Sequence, residues 1–349
     1  MNQIRLWLQT RKQQVSQSFA DSDKPVKSVL ALVLVYFVIT LILGVIWSFE
    51  PPSFDVVEQA RTETSLKEPD EVTGVVLTSS LVKVVDTLLE KRGGYLSNDI
   101  TPPGVWLDNI PNWEYGVVIQ VRDLTKAMRE AFSRSQSQST EDTSLAVAES
   151  RFNFDHKSWL LPSSEGEYRE GIEHLRDYLE RLSDEDQVNA QFYARADNLR
   201  YWLSTVETRL GSLSQRLSAS VGQKRLNIDL AGEADAKQST DAPAELKIKT
   251  PWMEIDDVFY EARGSAWALI HFLKAVEVDF EDVLQKKNAQ VSVQQIIREL
   301  EATQETLYSP LILNGSGFGM LANHSLVMAS YISRANAAII DLRELLSQG

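Results

Sequence analysis

The chain has 349 residues, of which 43% are hydrophobic, and a formal net charge of −14 at pH 7. So acidic a protein repels the phosphate backbone of nucleic acids, which argues against a nucleic-acid-binding role. The chain contains no cysteine. That excludes disulfides and is compatible with export, since an exported chain without thiols avoids wrong pairings.

The most distinctive stretch is an uncharged run near the N-terminus, VLALVLVYFVITLILGVIWSF, at residues 29–49. A helix of this length rises about 30 Å, which is the thickness of the hydrocarbon core of a bilayer. Pro51 and Pro52 follow, and a proline pair cannot continue a helix. We therefore expect a transmembrane helix at 28–50. A buried core helix and a cleaved signal peptide are the alternatives, but the run exceeds a signal peptide's apolar region.

The distribution of Lys and Arg around this run predicts its orientation. Residues 1–27 hold five basic and two acidic residues, whereas residues 50–71 hold seven acidic and two basic ones. We expect a cytoplasmic tail at 1–27, a polar stalk at 51–71 and a body on the far side. In a Gram-negative cell the membrane would be the inner membrane, and the far side would be the periplasm. A tail of this size is too short to fold as a signalling domain.

The body shows helical spacing of apolar residues, and no run alternates for long with a period of two. We expect a mainly α protein: one N-terminal transmembrane helix, then a periplasmic multi-helix bundle with a long aromatic loop. A helical region is expected at 72–221 and a second at 251–349, which packs on the first. Between them, residues 222–250 lack periodicity and aromatic side chains, which is typical of a flexible linker or exposed loop.

The longest regular pattern is a heptad seam in the first helical region. Its apolar positions step alternately by four and three residues. They include Leu199, Leu203, Val206, Leu210, Leu213 and Leu217. This spacing predicts left-handed helix–helix packing, either within one chain or between chains, so a homo-oligomer remains open.

A long segment at 94–116 is rich in Gly, Pro, Asn and Asp, which predicts irregular structure, with helix resuming near Glu114. Loops of this length are usually functional or tightly packed. Its aromatic side chains either cap the helical core or form a surface for a ligand or partner. The residues assigned to that surface are Tyr95, Trp106, Asp108, Trp113 and Tyr115.

No motif for catalysis or metal binding is present. None of the four histidines has a partner at the spacing of a zinc-binding helix. The glycine-rich segment at 314–319 matches neither the nucleotide-binding patterns nor the nucleophile elbow. We therefore expect no catalytic residues, no metal, no cofactor and no enzymatic activity.

Three features follow one another in a distinctive order. The apolar run ends in EPP at 50–52, GGYLSND stands at 93–99, and PPGVWLDN stands at 102–109. With this order the chain resembles a family of proteobacterial inner-membrane proteins known only as a domain of unknown function. The resemblance covers most of the chain, is most specific at 93–116 and implies a Gram-negative inner membrane. It implies no activity and no functional residues.

The anchor, the short tail, the seam and the aromatic loop together favour a membrane-anchored, non-enzymatic scaffold or accessory subunit of a cell-envelope assembly. Other envelope proteins are then the expected partners, beside the membrane itself. The alternative is a periplasmic binding module for a lipid, glycan or peptide that uses the 94–116 loop. An envelope hydrolase is a third, less favoured reading.

Overall fold

The fold is described from a computed structural model of the chain. The structure describes residues 24–64, 66–134, 140–184, 189–226, 245–309, 311–316 and 319–348. Two predictions therefore fall largely outside the described residues. These are the N-terminal tail up to residue 23 and the middle of the predicted linker, at 227–244.

The described part of the chain forms eleven α-helices and one pair of short strands, so the expectation of a mainly α protein is confirmed. In chain order the elements are α1 (Lys24–Trp47), α2 (Val56–Thr64), α3 (Val75–Glu90), α4 (Asn109–Ala127), α5 (Thr143–Phe152), α6 (Ser164–Ser183), α7 (Ala196–Ser218), β1 (Gln223–Leu226), β2 (Glu245–Ile248), α8 (Ile255–Asp279), α9 (Glu281–Lys286), α10 (Gln290–Ala302) and α11 (His324–Ser347).

The first helix, α1, is long and apolar enough to cross a membrane or to act as a signal sequence. Nearly all of its side chains are exposed, including Leu32 at 69% and Val45 at 64%. From residue 28 onward the helix carries no charge. Exposing these side chains to water is costly, because each aliphatic side chain left exposed loses about 1.5–3 kcal/mol of stabilisation by burial. The remaining ten helices form the body.

The body is organised around α3 and α8, which are the most completely buried helices. α3 contacts α2, α4, α6 and α8, and α8 also packs along α4. The two helices α4 and α8 approach closely at Gly264, where an added Cβ atom would lie 1.9 Å from the carbonyl oxygen of Trp113. A side chain at position 264 would therefore force the two helices apart.

The heptad seam lies on α7 and faces inward. Each of its six side chains is at most 3% exposed. α11 packs along α7, and Arg343 forms an ion pair with Glu207 beside the contact. The seam residues are thus used for packing inside this chain.

Helix α4 begins five residues earlier than expected from the sequence, so the predicted start near Glu114 is wrong. The Asp108 side chain accepts a hydrogen bond from the backbone N–H of Asn109, at 2.9 Å. Pro111 is compatible with this start, because the first turn of a helix needs no N–H donor at that position. The irregular segment is therefore shorter than predicted, and its last third is helical.

The strands β1 and β2 were not expected from the sequence. They pair antiparallel, with Gln223 opposite Ile248 and Leu226 opposite Glu245. The sequence ELKI of β2 does alternate polar and apolar residues, but four residues are too few to separate a strand from a loop by periodicity. Both strands lie at the ends of the segment that was predicted to be a linker.

Candidate functional site

The strongest candidate for a functional site is the junction where α1 meets the body. Trp47, in the last turn of α1, packs directly on Gly93. An added Cβ atom at position 93 would lie 2.6 Å from Cδ2 of Trp47, and the backbone φ there is +88°. Both facts require glycine at this position. Just beyond, the Arg92 guanidinium carbon lies 6.0 Å from the centre of the Phe49 ring.

An ion pair between buried Arg263 and half-buried Glu50 ties the chain after α1 to the middle of α8. The Glu50 carboxylate accepts from Arg263 Nη2 at 2.6 Å and from Nε at 2.7 Å. The two side chains are 18% and 7% exposed. Arg263 Nη1 also donates to the carbonyl oxygens of Thr303 and Glu305, at 2.9 and 3.0 Å. A buried charge pair is tolerated only with such complete hydrogen bonding.

His271 provides a second attachment, two turns further along α8. Its Nε2 accepts from the backbone N–H of Phe54 at 3.1 Å, and its Nδ1 lies 2.7 Å from the carbonyl oxygen of Trp267. The ring also stacks on Phe54, with centroids 4.0 Å apart. This pattern requires a neutral imidazole with its proton on Nδ1. Burial lowers the pKa of His271 to about 4, which keeps that form at neutral pH.

Two cavities flank the segment at residues 48–53. The first has a volume of about 590 Å³ and is lined in part by Tyr260, Arg263 and Trp267. The second, of about 540 Å³, lies on the other side and is lined by Lys83, Lys91 and Arg92 among others. Volumes of this size fall in the range of small-molecule sites.

A second buried charge pair stabilises the turn that receives Trp47. Lys91 pairs with Glu114, and both side chains are at most 2% exposed. The Glu114 carboxylate also accepts from the backbone N–H groups of Leu96 and Ser97, at 2.8 and 2.7 Å. Burial raises the pKa of Glu114, against the opposing effect of the Lys91 ammonium. This network connects the first turns of α4 to the segment that follows α3.

The five residues assigned to a ligand or partner surface do not form one surface. Tyr95 and Trp113 are buried, at 4% and 0% exposed. The Tyr95 hydroxyl donates to the carbonyl oxygen of His156, and Trp113 packs on Trp267 with centroids 5.2 Å apart. These two residues therefore belong to the core and cannot contact a partner directly.

The other three assigned residues lie nearer the surface. Trp106 is half-exposed and its ring centroid is 6.0 Å from that of Phe37 in α1. Asp108 caps α4 through its bond to Asn109. Tyr115 is half-buried, with its ring 4.8 Å from His156. Of the aromatic residues in the group, only Trp106 presents about half of its surface to the outside.

At the opposite end of α8, Asp279 holds the start of α3. Its carboxylate accepts from the backbone N–H groups of Gly74 and Leu77, at 2.8 and 2.7 Å. These are unpaired donors of a helix N-terminus, which a carboxylate satisfies well. The residue is buried, and burial raises its pKa to about 7. The central pair α3–α8 is thus locked by a polar contact far from the junction.

None of the described segments brings together three or more His, Cys, Asp or Glu side chains at a spacing that would hold a metal ion. The junction instead collects groups that are each bonded to the backbone or to one another. Such groups hold a segment in place.

The comparison with known families covers nearly the whole chain. A model of the bacterial family DUF2333 matches residues 21–349. The chain belongs to this family. The family is described as an uncharacterized protein conserved in bacteria. No curated protein and no solved structure matches the chain.

In this DUF2333 chain, four residues were not identified from the sequence: three that form the polar contacts of the junction, and one that forms the contact at the opposite end of α8. They are Glu50, Arg263, His271 and Asp279. One signal was present. Arg263 is a lone arginine between Ala262 and Ala266, in the apolar stretch of α8, and a charged residue at a core position implies a buried partner. The sequence does not show which residue that partner is, because Glu50 lies 213 positions away.

Proposed function

We propose that this protein is a non-enzymatic, membrane-anchored scaffold or accessory subunit of a bacterial cell-envelope assembly. In this proposal α1 stays in the inner membrane with its N-terminus in the cytoplasm, and the helical body lies in the periplasm. The basic residues before α1 and the acidic ones after it support that orientation. The partners are other envelope proteins.

The observation that carries the proposal is the way α1 is joined to the body. A flexible linker after α1 would leave the body free to change its height and orientation relative to the membrane. Here the segment after α1 is held by the Glu50–Arg263 pair, by the bond from Phe54 to His271 and by the packing of Trp47 on Gly93. Such a junction gives the body a set height and orientation, which is what positioning a partner requires.

The test is a clean gene deletion followed by native separation of solubilised membrane complexes. We expect at least one envelope complex to lose mass or disappear, and the full-length chain to restore it. A chain in which a cleavable signal peptide replaces α1 serves as the matched control, and we expect it to fail. If every complex is unchanged in the deletion strain, the scaffold proposal is wrong.

A second proposal, a periplasmic binding module for a lipid, glycan or peptide, is favoured by the cavity of about 590 Å³ at the junction. In this proposal the binding site lies between Tyr260 and the segment at 48–53. Native mass spectrometry of the protein purified in mild detergent tests it. A retained ligand that is lost in Tyr260→Ala but kept in Tyr201→Ala, an exposed tyrosine on α7, would support a binding role. Equal retention in both variants would exclude this cavity.

A further inference from the structure

The segment between α3 and α4 contains an uncharged apolar tip bounded by two aspartates. Between Asp99 and Asp108 the sequence reads ITPPGVWL. Three side chains of this tip are about half exposed, namely Ile100 at 55%, Val105 at 51% and Trp106 at 49%. Exposed apolar groups clustered in this way mark an interaction surface.

This tip lies alongside α1 rather than beside the body alone. The Trp106 ring is 6.0 Å from the ring of Phe37. A Cβ atom added to Gly44 would lie 3.6 Å from Cβ of Pro103. Phe37 stands ten residues before Trp47, so at a rise of about 1.5 Å per residue the tip reaches roughly 15 Å along the helix.

The tip contacts a part of α1 that must lie within the bilayer if α1 spans it. The uncharged part of α1 that lies beyond the tip, residues 29–36, would be only about 12 Å long, whereas the hydrocarbon core is about 30 Å thick. The spanning stretch must therefore include residues 37–47. Whatever lies beside those residues lies at the level of the lipid.

Five of the eight residues in the tip have no unpaired backbone N–H group. Pro102 and Pro103 have no N–H group to satisfy. The N–H groups of Val105, Trp106 and Leu107 donate to carbonyl oxygens within the tip, at 3.2, 3.0 and 2.9 Å. Unpaired backbone groups are costly in lipid, so these bonds lower the cost of placing the tip at the edge of the bilayer, where one side of it packs on α1.

Two further exposed apolar segments lie beside the base of the tip. The first is Trp159–Leu161, in which Leu161 is 97% exposed. It follows Ser158, whose carbonyl oxygen accepts from Asn98 Nδ2 at 2.8 Å. The second is Trp252–Met253, exposed by 76% and 78%. It precedes Asp257, which accepts from Asn112 in α4 at 2.7 Å.

We propose that residues 100–107, 159–161 and 252–253 form a membrane-facing surface that enters the outer leaflet of the bilayer crossed by α1. The occupant of this surface is lipid, because the tip is continuous with the flank of the apolar helix. Tryptophan is well suited to the interface between hydrocarbon and headgroups. The proposal rests on the proposed function in one respect, since it requires α1 to remain in the membrane.

The absence of cysteine makes a depth measurement simple, because one introduced cysteine is the only labelling site. Three exposed valines provide matched positions. Val105 lies in the tip, Val35 lies on α1, and Val291 lies in the first turn of α10. α10 starts beyond the far end of α8, which is 25 residues or about 37 Å long, so Val291 is remote from the tip.

The full-length variants Val105→Cys, Val35→Cys and Val291→Cys are labelled with an environment-sensitive fluorophore. They are reconstituted into vesicles of phosphatidylethanolamine and phosphatidylglycerol that contain lipids spin-labelled along the acyl chain. We expect quenching and a blue-shifted emission at positions 105 and 35, and neither at position 291.

Three other quenching patterns would each overturn the proposal. Quenching at 35 without quenching at 105 keeps the anchor and rejects the membrane-facing surface. Quenching at all three positions indicates that the body adsorbs without a preferred face, which also rejects it. No quenching at 35 means that α1 is not in the bilayer, and then the proposed anchoring fails together with this inference.

Discussion

Different interactions stabilise two regions of the molecule. One is the junction between α1 and the body, and the other is the seam between α7 and α11. At the junction, a few polar and charged groups from distant parts of the chain bond to one another in a buried setting, such as Glu50 and Arg263. At the seam, a periodic row of aliphatic side chains packs on a neighbouring helix. The junction depends on single partners, whereas the seam spreads its contribution over many small contacts.

The largest effect is expected at the buried ion pair. Arg263→Ala leaves the Glu50 carboxylate without its partner, and breaking a buried pair costs about 3–5 kcal/mol. Denaturant unfolding of the detergent-solubilised chain measures this change. Arg334→Ala is the control, because Arg334 is 52% exposed in its pair with Glu299. We expect that exposed pair to contribute at most about 1 kcal/mol. Equal losses in the two variants would show that burial does not distinguish them.

A somewhat smaller and more graded effect is expected at the seam. Leu210→Ala removes a fully buried side chain and should lower the free energy of unfolding by about 2–5 kcal/mol. Leu210→Met keeps the volume and should cost less than about 1.5 kcal/mol. The same unfolding assay compares the two. If the Met variant is as unstable as the Ala variant, the seam depends on the exact shape of the Leu210 side chain. The seam would then depend on single residues, as the junction does.

The junction should also respond to acid through His271. Its pKa is lowered to about 4 in the fold, from an ordinary value of 6.5. Between pH 6.5 and 4 the unfolded chain therefore binds a proton that the folded chain does not, so this group's contribution to stability is lost as the pH falls. In His271→Gln we expect that component to disappear from the pH dependence of the unfolding midpoint. An unchanged slope would mean that the imidazole is not held neutral.

Asp279 should act in the opposite direction over nearly the same range. Its pKa is raised to about 7 from 3.8, so between these values the folded chain keeps a proton that the unfolded chain has released. Its contribution to stability is therefore present below about pH 4 and declines towards pH 7. We expect Asp279→Asn to remove that decline, with a slope change opposite in sign to that of His271→Gln. Slope changes of the same sign in both variants would contradict these assignments.

The comparison also separates what the sequence predicts from what it leaves open. The spacing from Leu199 to Leu217 predicts α7 because the apolar period is a local property of the chain. The apolar run at 29–49 predicts α1 for the same reason. The start of α4 was missed because Asp108 and Pro111 are typical of loops and of helix starts alike.

The junction could not be predicted, since its two polar contacts, Glu50 with Arg263 and Phe54 with His271, join residues more than 200 positions apart. Buried polar partners leave no periodic pattern in the sequence. Arg263 in the apolar stretch of α8 signalled only that some buried partner exists. The aromatic residues show the same limit, because Trp106 and Trp113 look alike in sequence. Only the packing on Trp267 places Trp113 in the core and leaves Trp106 beside α1.

The most direct test of the account is whether the body holds one orientation relative to α1. Spin labels at Val45→Cys, on α1, and at Val327→Cys, on α11, allow a distance measurement by pulsed electron paramagnetic resonance in reconstituted membranes. We expect one narrow distance distribution, which broadens when Arg263→Ala is added. A broad distribution in the otherwise unaltered chain would contradict it, because the body would then be a loosely tethered domain.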